Sequence, residues 1–463
     1  MRSRAAVGGI NYTAVASAQA TRPAPRTAAV PFGAVTAGVR QMRATAVVRL
    51  PPLVLLGCFA AAAGQNWPAR GRPGGTAADT IVAPKQNATP FEYALELAPA
   101  SLTDGFHNES MQSWGGSILK DEDTGLYHMW TAAFTQGCSL SGWQQNSEVV
   151  HSVSQHRTGP FIMRDVALPI WHHGPQAIRA PDGMWMLFAR GKENPSSEVP
   201  CDKKTHRPEC GKEPAKTCPG NPSTIWLHVS KLPNGPWRRI APICSGCDNA
   251  APIFLANGSL VVVHSDCETG VAQMCPAAPN GTDSKRNETI MLDNSLRMWF
   301  AESWDGPHLS LRGVKSFVGR VGFNPYTSFN ATEHVCQAGS RGLLAQEDPV
   351  VWQGKDGRFR MLIHQFDCRT LRAWGAVGGY AISKTDNIFG EWDYDYKLAG
   401  YNATVQLANG KTVTVARRER PKVLLEDGVP TVLTNGVCLE TGDRQCFTLA
   451  QRIVSMKSDD AVA

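Results

Sequence analysis

Helix signals are poor along the whole of this chain, which argues against helical bundles and against layered folds of alternating strand and helix. There is no H-E-x-x-H, no G-x-S-x-G and no phosphate-cradling glycine loop. Zincin, serine hydrolase and nucleotide-dependent readings therefore lose their support. Acidic residues are missing from the first 78 positions, which carry nine Arg. The formal charge of +6 is therefore misleading. Beyond that segment 37 Lys and Arg face 40 Asp and Glu, a balance of −3. Charge implies no nucleic-acid partner. The apolar run at 50–63 is too short for a comfortable membrane span, so no stable span is expected.

That run belongs to a targeting pattern. Met42 is followed by Arg43 and Arg49, then the run, then small residues before Gln65, the basic-apolar-small order of a secretory signal. Residues 1–41 are either upstream of the true start or the first part of a two-step plastid presequence. The expected organisation is a targeting and disordered segment at 1–80, one folded domain at 84–456 and a disordered tail at 457–463. The expected location is secreted or luminal in the endomembrane system, with the plastid as the alternative. Seven Asn-x-Ser/Thr sequons lie beyond residue 80, at Asn87, Asn108, Asn257, Asn280, Asn287, Asn330 and Asn402. Of the 13 Cys, Cys58 lies in the apolar run, and the even number left accords with disulfides in an oxidising compartment. Cys438 with Cys446, and Cys267 with Cys275, are candidate pairs. Cys244-Ser245-Gly246-Cys247 has no matching second pair, which favours a disulfide over metal or redox chemistry.

What is present is a repeat. A β-type run, a Gly-containing turn and a second β-type run occur five times, at 115–134, 174–191, 250–266, 347–366 and 420–437. Four copies are followed by a short apolar strand and a Gly-Pro or Gly-aromatic turn, as in HSVS…TGPF and LHVS…NGPW. One hairpin cannot bury its own apolar face, so repeated hairpins at long spacing predict a propeller. The expected fold is all-β, a five-bladed β-propeller; two packed sheets are the alternative. The last hairpin lacks an outer strand, and FEYALELA at 91–98 alternates well enough to supply it and close the ring. Stretches 192–223 and 268–289 break the pattern and read as disulfide-tied surface loops.

In a propeller the innermost strands start near a central funnel. The residues at those starts are Trp114, Gly115 and Gly116; His173 and Gly174; Asp248 and Asn249; Glu347 and Asp348; and Arg418, Glu419 and Arg420. Crowded carboxyls raise one another's pKa and an adjacent Arg lowers it. That arrangement keeps one acid protonated and another ionised, as glycoside hydrolysis requires. Capping of strand ends by paired polar groups is the competing account.

The hairpins, the EDPVVW start of the fourth blade, the S…GPF and S…GPW closings and RRERPKVLL at the fifth resemble the five-bladed propellers of glycoside hydrolase family 43 and its relatives, over about residues 84–456. The resemblance implies inverting hydrolysis with an Asp base, a second Asp that tunes and orients, and a Glu acid, mostly on arabinose- or xylose-containing glycans. The Asp-Pro of the fourth blade is also similar to that of fructan-cleaving propellers. Blade one departs from the pattern: Ser113-Trp114-Gly115-Gly116-Ser117 holds no acid, and blade two offers His173-Gly174-Pro175. The catalytic candidates are therefore Glu347 as acid, Asp248 or Asp348 as base or orienter, and Glu419. Arg420, His173, Trp114, Arg418 and Asn249 are the candidate substrate-binding residues, with Trp114 expected to stack on a sugar. No cofactor and no catalytic metal is required, and a structural calcium ion is compatible with the fold. The expected partner is a poly- or oligosaccharide. Two other classes stay open, a carbohydrate-binding propeller that has lost its base and a structural propeller that binds protein.

Overall fold

The computed structural model describes residues 92–192, 198–209, 224–266, 296–321, 346–366, 373–441 and 443–457. The targeting segment, the tail beyond 457, the Cys267–Cys275 pair and the 268–289 insertion lie outside the described residues.

The five hairpins are the two inner strands of five blades. Blade one is Ser113–Lys120, Tyr127–Phe134, Ser147–Ser154 and Ile162–Leu168. Blade two is His172–Arg179, Trp185–Gly191, Thr224–Ser230 and Arg238–Ser245. Blade three is Cys247–Phe254, Leu260–Asp266, Arg297–Ala301 and Lys315–Arg320. Blade four is Gln346–Gln353, Phe359–Phe366, Ala373–Ser383 and Trp392–Tyr401. Blade five is Arg417–Glu426, Val429–Glu440 and Arg444–Met456, completed by Leu95–Leu97.

Sequence character follows position in the blade. Second strands such as Tyr127–Phe134 and Trp185–Gly191 are buried at every residue because neighbouring blades cover both faces. They read as mainly apolar runs. The outer strand Ile162–Leu168 alternates exposed and half-buried residues. Each junction between blades holds its own apolar core. Trp130 and Val149 meet Trp185 and Leu187 between blades one and two. Phe188 and Leu227 meet Val262 and Trp299 between two and three. Val263 and Met298 meet Met361 and Ile363 between three and four. Trp352 and Leu362 meet Leu433 between four and five. Ile118 and Met129 meet Leu424 and Val432 between five and one, closing the ring.

Closure differs in one respect from the expected single strand at 91–98. Glu92–Tyr93 pairs in parallel with the outer strand of blade four, the chain bends at Ala94, and Leu95–Leu97 pairs antiparallel with the third strand of blade five. The segment therefore straddles two blades. It ties the last junction instead of merely covering one edge. Leu95 is 4% exposed in that junction's core. Leu95→Ala is expected to cost about 2–5 kcal/mol, the range for a buried Leu. Urea unfolding measures this directly, and an unchanged midpoint would show that the strap is dispensable. Blade three also departs from the simple pattern: a side hairpin, Ser303–Asp305 with Ser310–Arg312, intervenes before its outer strand.

Three disulfides lie among the described residues: Cys138–Cys201, Cys244–Cys247 and Cys438–Cys446. The last joins directly cross-strand neighbours in the final hairpin.

Candidate active site

All five innermost strands carry the same irregularity near their start. The pairing register slips between Trp114 and Gly116, His173 and Gln176, Asp248 and Ala251, Glu347 and Val350, and Glu419 and Lys422. Each slip contains one residue with positive φ: Gly115 at 68°, Gly174 at 60°, Asn249 at 60°, Asp348 at 55° and Arg420 at 53°. These are β-bulges, which re-aim side chains next to functional sites. Glycine, Asn and Asp tolerate left-handed backbone. Arg does not, and the conformation costs it about 1–2 kcal/mol.

Arg420 is held there by contacts to all four other blades. Its Nη1 is 3.2 Å from Asp348 Oδ1 of blade four, and its backbone N–H donates to Asp348 Oδ2 at 3.2 Å. The same Nη1 donates to Asn249 Oδ1 of blade three. Blades one and two approach so closely that they need glycine. A Cβ on Gly115 would lie 2.9 Å from Arg420 Cβ, and one on Gly174 would lie 2.7 Å from Arg420 Nη1. The left-handed residues of the other four blades thus converge on the Arg420 side chain.

Around this hub stand two groups of charges. From blades four and five come Glu347, His364 and Glu419. His364 Nδ1 is 3.1 Å from Glu347 Oε1 and 3.7 Å from Asp348 Oδ2, and its Nε2 is 3.9 Å from Glu419 Oε1. Glu419 Oε1 is 3.0 Å from Arg417 Nε. From blades two and three come Arg190 and Asp248, joined at 3.0 Å, and the Arg190 guanidinium lies 4.3 Å over the Trp143 ring. Lys422 lies two residues beyond Arg420 and donates to the carbonyls of Pro349 at 3.1 Å and Ala250 at 3.4 Å.

Burial sets the electrostatics. Desolvation, and then the adjacent Asp348 charge, push the Glu347 carboxyl up to about 7, against the pull of His364. Asp348 is also raised by burial, with Arg420 opposing. Burial acts to lower His364, but Glu419, Glu347 and Asp348 outweigh it and leave the ring above its ordinary value. Lys422 is brought down to about 7, chiefly by burial. His173 is held well below its usual value by burial and by Arg420 and Arg190, so it is neutral. Its Nδ1 is 2.7 Å from Ser147 Oγ. Among the described residues, Glu347 Oε2, Asn249 Nδ2 and His173 Nε2 are buried with no hydrogen-bond partner. A ligand's hydroxyls would satisfy them.

One ligand atom from each of Glu347, Asp348, His364 and Glu419 lies within 4.8 Å of the others. Oxygen and imidazole donors suit a divalent cation. Here Arg420, Arg417 and Lys422 already counter those carboxylates, so a calcium ion would bring charge to a cluster that has its counter-ions.

Of the residues expected from sequence, Asp248, Asn249, Glu347, Asp348, Glu419, Arg420 and His173 all belong to this constellation. Trp114 does not serve as a sugar platform. It is 1% exposed and packs with Phe134, Leu140, Cys438 and Cys446, against Gly436, where a Cβ would lie 2.5 Å from its ring. Arg418 is fully buried elsewhere, donating to Asn435 Oδ1, Asn402 O and Gln451 Oε1, with Tyr401 5.0 Å away. It is one residue out of phase with Glu419, so its side chain leaves the opposite face of the strand. Burial lowers it to about 10. Sequence reasoning missed His364, Arg190, Lys422 and Trp143. His364 and Arg190 are the cross-strand partners of Glu347 and His173. Their signal was a cationic or ring residue ending an apolar run, as in MLIHQF and LFAR.

No family model matches this chain, and no curated protein matches it. Solved structures do. The GH43_1 enzyme from Xanthomonas citri is 12% identical with a TM-score of 0.45, over 78% of this chain and 90% of that one. The endo-arabinase from Bacteroides thetaiotaomicron is 12% identical with a TM-score of 0.44, over 78% and 99%. The catalytic domain of the Coprinopsis cinerea GH62 alpha-L-arabinofuranosidase is 10% identical with a TM-score of 0.44, over 80% and 99%. The chain is a five-bladed propeller that resembles these enzymes in fold.

Proposed function

We propose that this propeller acts on a carbohydrate in its central funnel, as a hydrolase of glycosidic bonds. The observation that carries the proposal is Glu347. It is a buried carboxyl raised to about 7, with one oxygen lacking a partner, beside further carboxylates at the propeller axis. A carboxyl still protonated near neutral pH is a general acid, and it gives its proton to the leaving glycosidic oxygen. Positive charge then develops at the anomeric carbon, and Asp348 and Glu419 face it. Asp248, across the axis and ion-paired with Arg190, is the assigned base for water. Arg420, Asn249 and neutral His173 supply hydrogen bonds to hydroxyls. Trp143 is half-buried beside Arg190 and His173 and replaces Trp114 as the aromatic platform.

The assignment fixes a pH dependence. Glu347 works only while protonated, so turnover falls as pH rises through about 7. A kcat profile that is flat from about pH 5 to 9 would remove Glu347 from the acid role.

A second reading is a carbohydrate-binding propeller without catalysis. The observation favouring it is blade one, where buried Trp114 and Gly115 occupy the positions that hold Asp248 and Asn249 in blade three. A panel of chromogenic glycosides and plant or algal polysaccharides separates the two readings. Product release supports the first, and affinity without release supports the second. The proposed route is secretory, motivated by the sequons and the apolar run. Mass spectrometry of native protein with an intact N-terminus and no glycan would contradict it.

A further inference from the structure

Against the sequence expectation of a plain disulfide, we infer that Cys244 and Cys247 form a redox-active pair that exchanges with external dithiols, at the crossing between blades two and three. Cys244 lies in the last strand of blade two, Arg238–Ser245, and Cys247 opens the first strand of blade three, Cys247–Phe254. Only Ser245 and Gly246 separate them, and the Cα atoms are 5.7 Å apart, an ordinary disulfide span. The two sulfurs are not equivalent. Cys244 is partly exposed beside exposed Ser245, whereas Cys247 is fully buried. An accessible first cysteine and a buried second one give an incoming thiolate a single point of attack.

His264, on the second strand of blade three, places Nδ1 3.9 Å from Cys244 Sγ and 3.2 Å from the Ser265 carbonyl oxygen. An imidazole there favours the Cys244 thiolate once the pair is reduced. Loop size points the same way. This pair spans a sequence separation of 3, against 8 for Cys438–Cys446 and 63 for Cys138–Cys201. The entropy that a crosslink removes from the unfolded chain grows with loop length, so of these three this bond restrains the chain least and its reduction is best tolerated. Cys244, Cys247 and His264 also gather three potential zinc donors, so zinc is the competing occupant of this site.

The exchange balances as follows. A dithiol's thiolate attacks Cys244 Sγ, forming a mixed disulfide as the bond to Cys247 breaks, and Cys247 leaves as a thiolate that takes up a proton. The reductant's second thiolate then attacks its own sulfur in the mixed disulfide and releases the Cys244 thiolate beside His264. The protein gains two electrons, and the dithiol becomes a cyclic disulfide. Reduction unties the blade crossing one residue before Asp248, whose Oδ1 accepts the Asn249 N–H at 2.9 Å and whose Oδ2 meets Arg190.

The test uses native full-length protein in graded mixtures of reduced and oxidised dithiothreitol, quenched with iodoacetamide and read by peptide mass spectrometry. No sugar is needed, so the result is independent of the hydrolase assignment. Cys244 and Cys247 should become labelled at ratios that leave Cys138–Cys201 and Cys438–Cys446 intact and the far-ultraviolet circular dichroism unchanged. Removing the reductant should restore the bond. In reduced protein at pH 7, His264→Gln should slow alkylation of Cys244 several-fold. Two results would overturn the proposal: a pair that opens only together with Cys138–Cys201 and Cys438–Cys446, or stoichiometric zinc that must be chelated before either cysteine reacts. Unchanged alkylation in His264→Gln would remove the imidazole from the account.

Discussion

Glu347→Gln should lower turnover by about 100-fold or more, the size of effect that loss of a general acid produces. Glutamine keeps the shape and the hydrogen-bonding oxygen but has no acidic proton to give. Ligand affinity should largely survive, because Arg420, Asn249, His173 and Trp143 are untouched. Stability should not fall. The substitution removes a buried carboxyl that Asp348 and Glu419 repel, and it leaves an amide facing His364. The combination of lost turnover, kept affinity and unchanged or higher Tm separates a chemical role from a structural one. Unchanged turnover would show that the acid lies elsewhere. Glu419 would then be examined first, since it shares the cluster.

Arg420→Met should be the most destabilising single substitution at the axis. Met matches the stem of the side chain but deletes the guanidinium. Asp348, 1% exposed, then loses its guanidinium partner and keeps only His364 at 3.7 Å and the more distant Lys422, and Asn249 Oδ1 loses its donor. Leaving a buried charge without its partner costs about 3–5 kcal/mol, more than the pair itself contributes. The strained left-handed backbone at 420 would remain, so relief there cannot offset the loss. Adding Asp348→Asn should recover part of the stability, because the uncompensated charge disappears. If Arg420→Met unfolds at the wild-type urea concentration, the guanidinium is not what holds the five bulges together.

Both predictions rest on positions that the sequence indicated to different degrees. The hairpins could be read because each second strand is sandwiched between blades and shows as an apolar run after a Gly turn. The residues of the inner bulges could be picked out because each blade places them at the same offset, just ahead of its first apolar run, although the bulges themselves could not be foreseen. Cross-strand partnership was hidden. His364 faces Glu347 only through a register that slips between Glu347 and Val350, and no local pattern announces that slip. The burial of Trp114 was hidden for a related reason. It occupies the same offset as Asp248 and Glu347, but glycine at 436 leaves a slot that its ring fills. Arg418 could have been set aside from strand alternation alone. The division of 92–97 between two blades follows from the bend at Ala94, whose N–H donates to Ala399 O at 2.7 Å, and that is a tertiary contact.

The central claim is that these converging charges cleave a sugar and do more than bind one. Release of reducing ends from plant and algal polysaccharides, by wild type and by Glu347→Gln at matched concentrations near pH 6, tests it most directly. The account predicts release by wild type on at least one substrate, and retained binding with release lowered about 100-fold or more in the variant. Binding by wild type with no release on any substrate, or equal release by both proteins, would contradict it.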